Sequence, residues 1–305
     1  MNEHKAGYVA IVGRPNVGKS TLINALLGQK IAAVSPKPQT TRRIQLGILT
    51  LEDAQIIFMD TPGIHKPVHK LGEYMNQAAI ETLEDADVLL WLVDASDMPT
   101  EEDEIVASRL KGLKSKAPVL LALNKVDLIS GDALDTRQAA YAALMKRAEP
   151  LRISAMNRYG VDQLTARMVA LLPEGVPFFD EDQVTDLYER DIAADLIREA
   201  ALLNLRDEVP HALAVRIDEF KERSETAAYI GATLLVERDS QKGIVIGKGG
   251  EMLKAIGMTA RRSIEEMSGR KIFLELRVKV NKNWRNDPFV LKILGFETEK
   301  KKKKK

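Results

Sequence analysis

The eight residues Gly13-Arg14-Pro15-Asn16-Val17-Gly18-Lys19-Ser20 limit this chain more than any other stretch in it. They fit the pattern G-x-x-x-x-G-K-[S/T], they follow the apolar run Tyr8–Val12, and they open a segment of helical pattern. Such a loop belongs at the bend between a strand and a helix. Its glycines let backbone N–H groups curl around phosphate oxygens where side chains would collide, and the helix N-terminus adds partial positive charge. Lys19 can reach β- and γ-phosphates, and the Ser20 hydroxyl can ligate Mg²⁺. Gly13, Asn16, Val17, Gly18, Lys19, Ser20 and Thr21 are the candidate phosphate contacts. Alone, the motif marks a nucleotide without saying which one.

The surrounding pattern fits that bend. Short apolar runs at Tyr8–Val12, Ile56–Met59, Val88–Val93, Val119–Leu123 and Leu151–Ile153 alternate with helix-length amphipathic segments up to Pro173. Near-continuous apolar strands are expected where a parallel sheet is covered on both faces. The spacing therefore predicts an α/β domain with a mostly parallel sheet and helices on both faces.

Four more pieces stand at or beside strand ends. Asp60-Thr61-Pro62-Gly63 can offer the Asp60 carboxylate to Mg²⁺ through water, and the Gly63 backbone can approach a γ-phosphate closely; taken alone it is also a plain Pro-Gly turn. Asn124-Lys125-Val126-Asp127 suits guanine. The Asp127 carboxylate can accept from the ring N–H and the exocyclic amine together, the Lys125 stem can lie over the base, and Asn124 can brace the loop. Ser154-Ala155-Met156 could give a backbone N–H to guanine O6. In the polar loop Ile31–Arg43, the hydroxyl of Thr40 or Thr41 could complete the Mg²⁺ shell when a γ-phosphate draws the loop in.

Taken together, GxxxxGKS, Thr, DTPG, NKVD and SAM resemble the translation-factor-related P-loop GTPases. The resemblance implies nucleotide at the carboxyl ends of the strands and makes Lys19, Thr41 and Gly63 the candidate catalytic groups. One departure bears on rate. Ras-like proteins carry a water-orienting glutamine after the DxxG segment, and here that position is Ile64. Slow intrinsic GTP turnover is expected, open to acceleration by a partner or by a monovalent cation such as K⁺. His65 and His69 stand four apart, but Pro67 argues against a helix that would make them a metal pair; a solvated switch loop is expected there.

Beyond Leu172-Pro173-Glu174-Gly175-Val176-Pro177 the style of the sequence changes, and 174–186 reads as a linker. Amphipathic periodicity predicts a helix over Asp191–Leu205, strands over Ala212–Phe220 and Thr226–Val236, and a helix over Glu251–Met267. Strict alternation of Ile272, Leu274, Leu276, Val278 and Val280 predicts a half-buried strand. The element order is helix, strand, strand, helix, helix, strand. Between the two adjacent helices lies Gly247-Lys248-Gly249-Gly250. A Gly-x-x-Gly loop of this kind clamps about four nucleotides of backbone in KH domains, with Lys242, Lys248, Lys254, Arg261 and Arg262 as local positive charge. The formal net charge of +1 hides a division: residues 241–305 hold 18 Lys/Arg against 7 Asp/Glu, while 1–240 carry a net charge of −10. A polyanionic partner for the C-terminal part fits that asymmetry. A glycine-rich turn on a basic, solvated face is the plainer reading of the same residues.

The chain has no cysteine, which excludes disulfides and thiolate metal sites. Its polar start lacks the apolar core of a signal peptide, and its longest apolar runs are too short to span a bilayer, so a cytoplasmic protein is expected.

Nearly the whole chain resembles the Era family of bacterial ribosome-assembly GTPases. The residues that carry the resemblance are Gly13 to Ser20, Gln39-Thr40-Thr41-Arg42, Asp60 to Gly63, Asn124 to Asp127, Glu208-Val209-Pro210, and Ser240-Gln241-Lys242-Gly243 leading into Ile246 to Gly250. The resemblance implies a GTPase domain over 1–173 and a smaller α+β KH domain of type II (αββααβ) over 187–299. It also implies GTP/GDP and Mg²⁺ as ligands, with Ser20, Thr41 and Asp60 at the metal, Thr41 being the better match because Arg42 follows it. RNA contacts would come from Lys242, Gly247, Lys248, Gly249, Gly250, Lys254 and Arg261. The implied partner is the 3′ end of 16S ribosomal RNA during maturation of the 30S subunit, with peripheral association at the inner membrane as a further family trait; a monomer is expected. Lys300–Lys305 form a lysine tail, expected to be disordered, that could attract RNA or anionic lipid. A different class of reading stays open, in which the second domain docks a protein or membrane under GTP control.

Overall fold

The computed structural model describes residues 4–35, 37, 40–63 and 67–296. The described residues form two compact units: those up to Gly63 together with Ala78–Asp186, and Pro67–Gln77 together with those from Leu187 onward.

In the first unit the phosphate-loop motif sits between β1 (Lys5–Val12) and α1 (Lys19–Leu27). The chain continues through β2 (Gln45–Thr50), β3 (Ala54–Asp60), the later part of α2 (Lys70–Glu84, which belongs to the second unit up to Gln77), β4 (Val88–Asp94), α3 (Glu101–Gly112), β5 (Val119–Asn124), α4 (Gly131–Leu144), β6 (Glu149–Arg152) and α5 (Val161–Leu171). The sheet order is β2-β3-β1-β4-β5-β6, and only the β2–β3 pairing is antiparallel. Apolar runs without alternation are what two covered faces require. On β4, Leu89, Trp91 and Val93 face a cluster with Val106, Leu110 and Tyr141. Val88, Leu90 and Leu92 face the other, with Leu22, Ile23 and Leu164. Each fully buried Leu, Ile or Val stabilises the unit by about 1.5–3 kcal/mol. The strands fix the site because β1, β3, β5 and β6 all end at the same edge, each followed by one of the motifs.

Residues 174–186, read as a linker, are fastened to this unit. Gly175 N–H donates to His4 O at 2.9 Å. Gln55 accepts from the N–H groups of Phe178 (2.7 Å) and Phe179 (3.0 Å) and donates to Phe179 O (2.9 Å). Ile48 N–H donates to Val184 O at 2.9 Å, and Thr185 Oγ1 donates to Leu46 O at 2.7 Å. The proline and glycine here disfavour a helix, and backbone groups that lack a helix still need partners.

The second unit runs α6 (Glu189–Asn204), β7 (Ala214–Ser224), β8 (Ala227–Val236), α7 (Asp239–Ile246), α8 (Glu251–Ser268), β9 (Lys271–Val280) and α9 (Pro288–Ile293). The sheet order is β7-β8-β9, antiparallel then parallel. This is the αββααβ order read from the sequence, with α9 added beyond it. Ile256, Ala260 and Ile264 of α8 and Leu196, Ile197 and Ala200 of α6 share one core with the sheet. A smaller cluster joins Trp284, Leu291 and Leu294 to Leu71, Met75, Ala214 and Leu235. Trp284 is fully buried and its indole N–H donates to Ala212 O at 2.9 Å, so the burial leaves no polar debt. Among the described residues no helix is long and apolar enough to cross a membrane.

Candidate nucleotide site and nucleic-acid interface

The phosphate loop is shaped by positions that only glycine satisfies. Gly18 has φ +102°, and a Cβ there would lie 2.4 Å from Asn124 Nδ2; a Cβ on Gly13 would lie 2.3 Å from Leu92 O. Lys19 points its ammonium into the loop, donating to Gly13 O (3.1 Å) and Arg14 O (3.0 Å). Burial lowers its pKa to about 8, against an opposing pull from Asp60. The loop walls a cavity of about 300 Å³ with Ser20, Thr21, Thr41, Gly63 and Lys125 on its lining.

Three oxygens converge there from three separate motifs. Ser20 Oγ lies 3.0 Å from Thr41 Oγ1 and donates to Asp60 Oδ2 at 3.2 Å, and Thr41 Oγ1 donates to the same Oδ2 at 3.0 Å. Two hydroxyls and one carboxylate form an all-oxygen donor set that fits Mg²⁺, a hard cation that uses few protein ligands and completes its shell with water and phosphate. Thr40 lines the same cavity, and its hydroxyl donates to Lys37 O at 2.8 Å. Of the two threonines, Thr41 is the one whose hydroxyl meets Ser20 and Asp60. Gly63 packs against Pro15, where an added Cβ would lie 3.0 Å from its Cγ. Ile64 and His65 lie outside the described residues, as do Gln39 and Lys300–Lys305. His69 stands one residue before α2.

At the base end, Asn124 ties two loops together: its Nδ2 donates to Val17 O at 2.8 Å and its Oδ1 accepts from Ala155 N–H at 2.9 Å. The Ala155 N–H, a candidate donor to guanine O6, is thus engaged with Asn124 in this structure. Ser154 is buried and Met156 exposed beside it. Lys125 adopts φ +65°, and its ammonium donates to Asn16 O at 2.9 Å and to Asp94 Oδ2 at 2.6 Å. Asp127 stands exposed on the one-turn helix Val126–Leu128.

The second unit carries its own concave surface. Gly247 (φ +74°), Gly249 (φ +61°) and Gly250 (φ +86°) turn the chain from α7 into α8. A Cβ on Gly247 would lie 2.7 Å from Met252 Cβ, whereas Gly249 and Gly250 face open space. Beside this loop a groove of about 540 Å³ runs between α8 and β9, with Leu253, Met258, Leu274 and Leu276 on its lining and Lys254, Arg261 and Gly250 at its polar margin. Lys248 is exposed in the loop and Lys242 half-buried on α7, and neither lines the groove. The arrangement suits single-stranded nucleic acid: an apolar floor for base faces beside a phosphate-sized loop with cations at hand.

Two family models match these surfaces. One, described as 50S ribosome-binding GTPase, covers residues 8–125, and a KH domain model covers 208–285. The GTPase Era of Ruminiclostridium cellulolyticum is 50% identical over 297 residues, 97% of this chain and 99% of that protein. This chain belongs to the Era family of GTPases. Two solved Era structures are similar to it at 40% identity. One, covering 97% of this chain and all of that one with a TM-score of 0.91, is Era in complex with MgGDPNP and nucleotides 1506–1542 of 16S ribosomal RNA. The other, Era from Aquifex aeolicus bound to GDP and AlF4⁻, covers 96% of this chain and all of that one with a TM-score of 0.90.

In this Era-family chain the motif residues of the nucleotide site draw together at one sheet edge, but some neighbours gave no signal in the sequence. Asp94 ends β4 with no motif around it. Leu253, Leu274 and Leu276 of the groove carried core periodicity and were indistinguishable from fully buried positions. Arg262 points to solvent, paired with Glu266 at 2.9 Å.

Proposed function

We propose that this protein is a GTP-gated RNA-binding switch that grips the 3′ end of small-subunit (16S) ribosomal RNA through its KH domain and assists assembly of the 30S subunit. The observation that carries the nucleotide half is the convergence of Ser20, Thr41 and Asp60 within 3.2 Å of one another beside the Lys19 loop. Only one of the three precedes the switch loop 31–43, one lies in it and one follows it. A ligand that engages all three therefore favours the conformation in which that loop is drawn in, and population follows differential affinity.

In this reading Lys19 neutralises phosphate charge, and the glycine loop with Ser20 and Thr21 wraps the phosphates. Asp127 accepts from the guanine edge, and the segment Ser154–Met156 walls the base. Magnesium, when bound, would neutralise charge between the outer phosphates; Ser20, Thr41 and Asp60 would hold it. Thr41 and Gly63 would hold the γ-phosphate end, with slow intrinsic turnover and K⁺ as a candidate accelerator. The RNA half is supported by the Gly247–Gly250 loop, the groove beside it and the positive charge of residues 241–305. It is also supported by the 16S ribosomal RNA fragment bound to the similar Era protein. We assign the GTPase domain to 1–173 and the KH domain to 187–299, and take the working protein to be a cytoplasmic monomer. Peripheral attachment to the inner membrane rests on the family resemblance alone.

The test is titration with a short single-stranded RNA matching the 16S 3′ end, in GDP and then in a non-hydrolysable GTP analogue, against a scrambled RNA at the same salt. Sequence-selective binding that changes with the nucleotide supports the switch. Equal binding of both RNAs in both states would reduce the second unit to a basic surface.

A further inference from the structure

Between the phosphate loop and the guanine loop lies an ionic chain that no motif announces. Asp94, buried at the end of β4, places Oδ2 2.6 Å from the Lys125 ammonium and 3.9 Å from Arg14 Nη2. Its Oδ1 accepts from Ser96 N–H (3.0 Å) and Oγ (2.6 Å), which fixes the carboxylate plane. On the far side, Arg14 Nε donates to Asp103 Oδ2 at 3.2 Å. Asp103 is fully buried, and the same oxygen caps α3 by accepting from Thr100 N–H (3.0 Å) and Oγ1 (2.8 Å). Tyr141 of α4 closes the circuit, donating to Asp94 O at 3.1 Å and lying 3.4 Å from Asp103 Oδ2. Lys125 completes it by donating to Asn16 O in the phosphate loop at 2.9 Å.

Buried carboxylates are expensive unless paired and hydrogen-bonded, so a chain with two of them has a use beyond filling space. Asp103 could cap α3 without an arginine, and Asp94 could be an apolar residue like the rest of β4. Both carboxylates instead meet cations whose backbones belong to nucleotide loops: Arg14 lies between Gly13 and the phosphate turn, and Lys125 lies in the NKVD segment. A ligand that spans both loops binds well only if their separation is set before it arrives.

We infer that Asp94 and Asp103 are positioning residues which, through Lys125 and Arg14, hold the guanine loop and the phosphate loop at the separation one nucleotide spans. The inference rests on the nucleotide placement proposed above. Neither carboxylate touches the reacting atoms. Their effect is uniform binding, felt equally by GTP, GDP and the transition state. It therefore belongs in KM and in nucleotide dissociation, and not in turnover.

The test compares the full-length protein with Asp94→Asn, which keeps shape and can keep the Ser96 contacts, with Arg14→Gln, and with the double variant. KM for GTP and the dissociation rate of a fluorescent GDP are expected to rise about tenfold in each single variant, while kcat at saturating GTP changes less than about twofold. The double variant is expected to resemble the worse single one instead of multiplying the two, because both break one chain. A merely structural role gives the opposite split: a smaller folded fraction lowers apparent kcat and leaves KM alone. That result, or an unchanged KM in a folded variant, overturns the inference. Should Asp94→Asn fail to fold, Arg14→Lys keeps the charge with a less well matched donor and is expected to raise KM by about threefold. Selectivity of the wild-type protein for GTP over ATP, measured in parallel, reports separately on the nucleotide placement.

Discussion

Thr41 Oγ1 donates to Asp60 Oδ2 at 3.0 Å, joining the loop before β2 to the end of β3 through a contact 19 residues apart in sequence. The same carboxylate oxygen takes the Ser20 hydroxyl at 3.2 Å. In the proposed placement, Thr41→Ala removes a ligand whose value depends on a γ-phosphate being present. It is expected to leave GDP affinity within about twofold and to slow single-turnover GTP hydrolysis by tenfold or more, since the loss falls on the transition state. Loss of GDP affinity of the same size would place Thr41 in general nucleotide binding instead.

The burial of Lys19 carries a pH signature. Burial holds its pKa down to about 8, and phosphate beside it must raise that value. Below pH 8 the ammonium is already charged and binding takes up no proton. As pH rises through 8 the proton must be acquired on binding, so nucleotide affinity is full below about pH 8 and falls above it. Calorimetry at pH 8 in two buffers of different ionisation enthalpy should register net proton uptake on nucleotide binding. Zero uptake there would mean the ammonium is charged throughout.

Asn124→Ala breaks two contacts with one truncation. Val17 O and Ala155 N–H are both buried partners, and leaving buried groups unmatched costs about 1–3 kcal/mol each. Urea unfolding of the variant should show a loss of that order together with weakened guanine binding. Asp127→Asn acts differently: the fold is untouched because Asp127 is exposed, and preference is expected to move from GTP toward XTP. Competition binding with the two nucleotides checks it, and unchanged GTP selectivity would remove Asp127 from the base edge.

Gly249 and Gly250 face open space, so an aspartate at either adds charge without collision, although φ above +60° costs the backbone about 1–2 kcal/mol. Gly249→Asp is expected to keep the KH unit folded by circular dichroism and to weaken RNA binding about tenfold or more, from repulsion at the phosphate-facing turn. Retained RNA affinity would make the loop a turn and nothing more.

The motifs that the structure brings to one sheet edge are legible in the sequence because their chemistry is sequence-local: each is a few residues long and sits at or beside a strand end. The strands were legible for the same reason, since a run such as Val88–Val93 has no exposed face to interrupt it. What escaped was set by tertiary placement. Asp94 acquires its role only when β5 brings Lys125 beside it. Leu71 and Met75 look like ordinary helix apolars, and nothing local says that they pack with Trp284 and Leu291. The groove leucines share the periodicity of the core, and only the position of β9 as an edge strand leaves them half open. The Pro, Gly and acidic residues of 174–186 report on helix avoidance and are silent about hydrogen bonding to a neighbouring strand.

The fastening of residues 178–186 has a consequence for aggregation. Strand β2 is the outermost of its sheet, and a bare edge is a template on which another chain can add. Ile48 N–H and Leu46 O of that edge are taken by Val184 and Thr185, and Leu46 N–H by Asp186 Oδ1 at 3.1 Å. An N-terminal fragment cut at Pro173 would carry an unguarded edge and self-associate; one cut after Asp186 would keep its guard and stay dispersed.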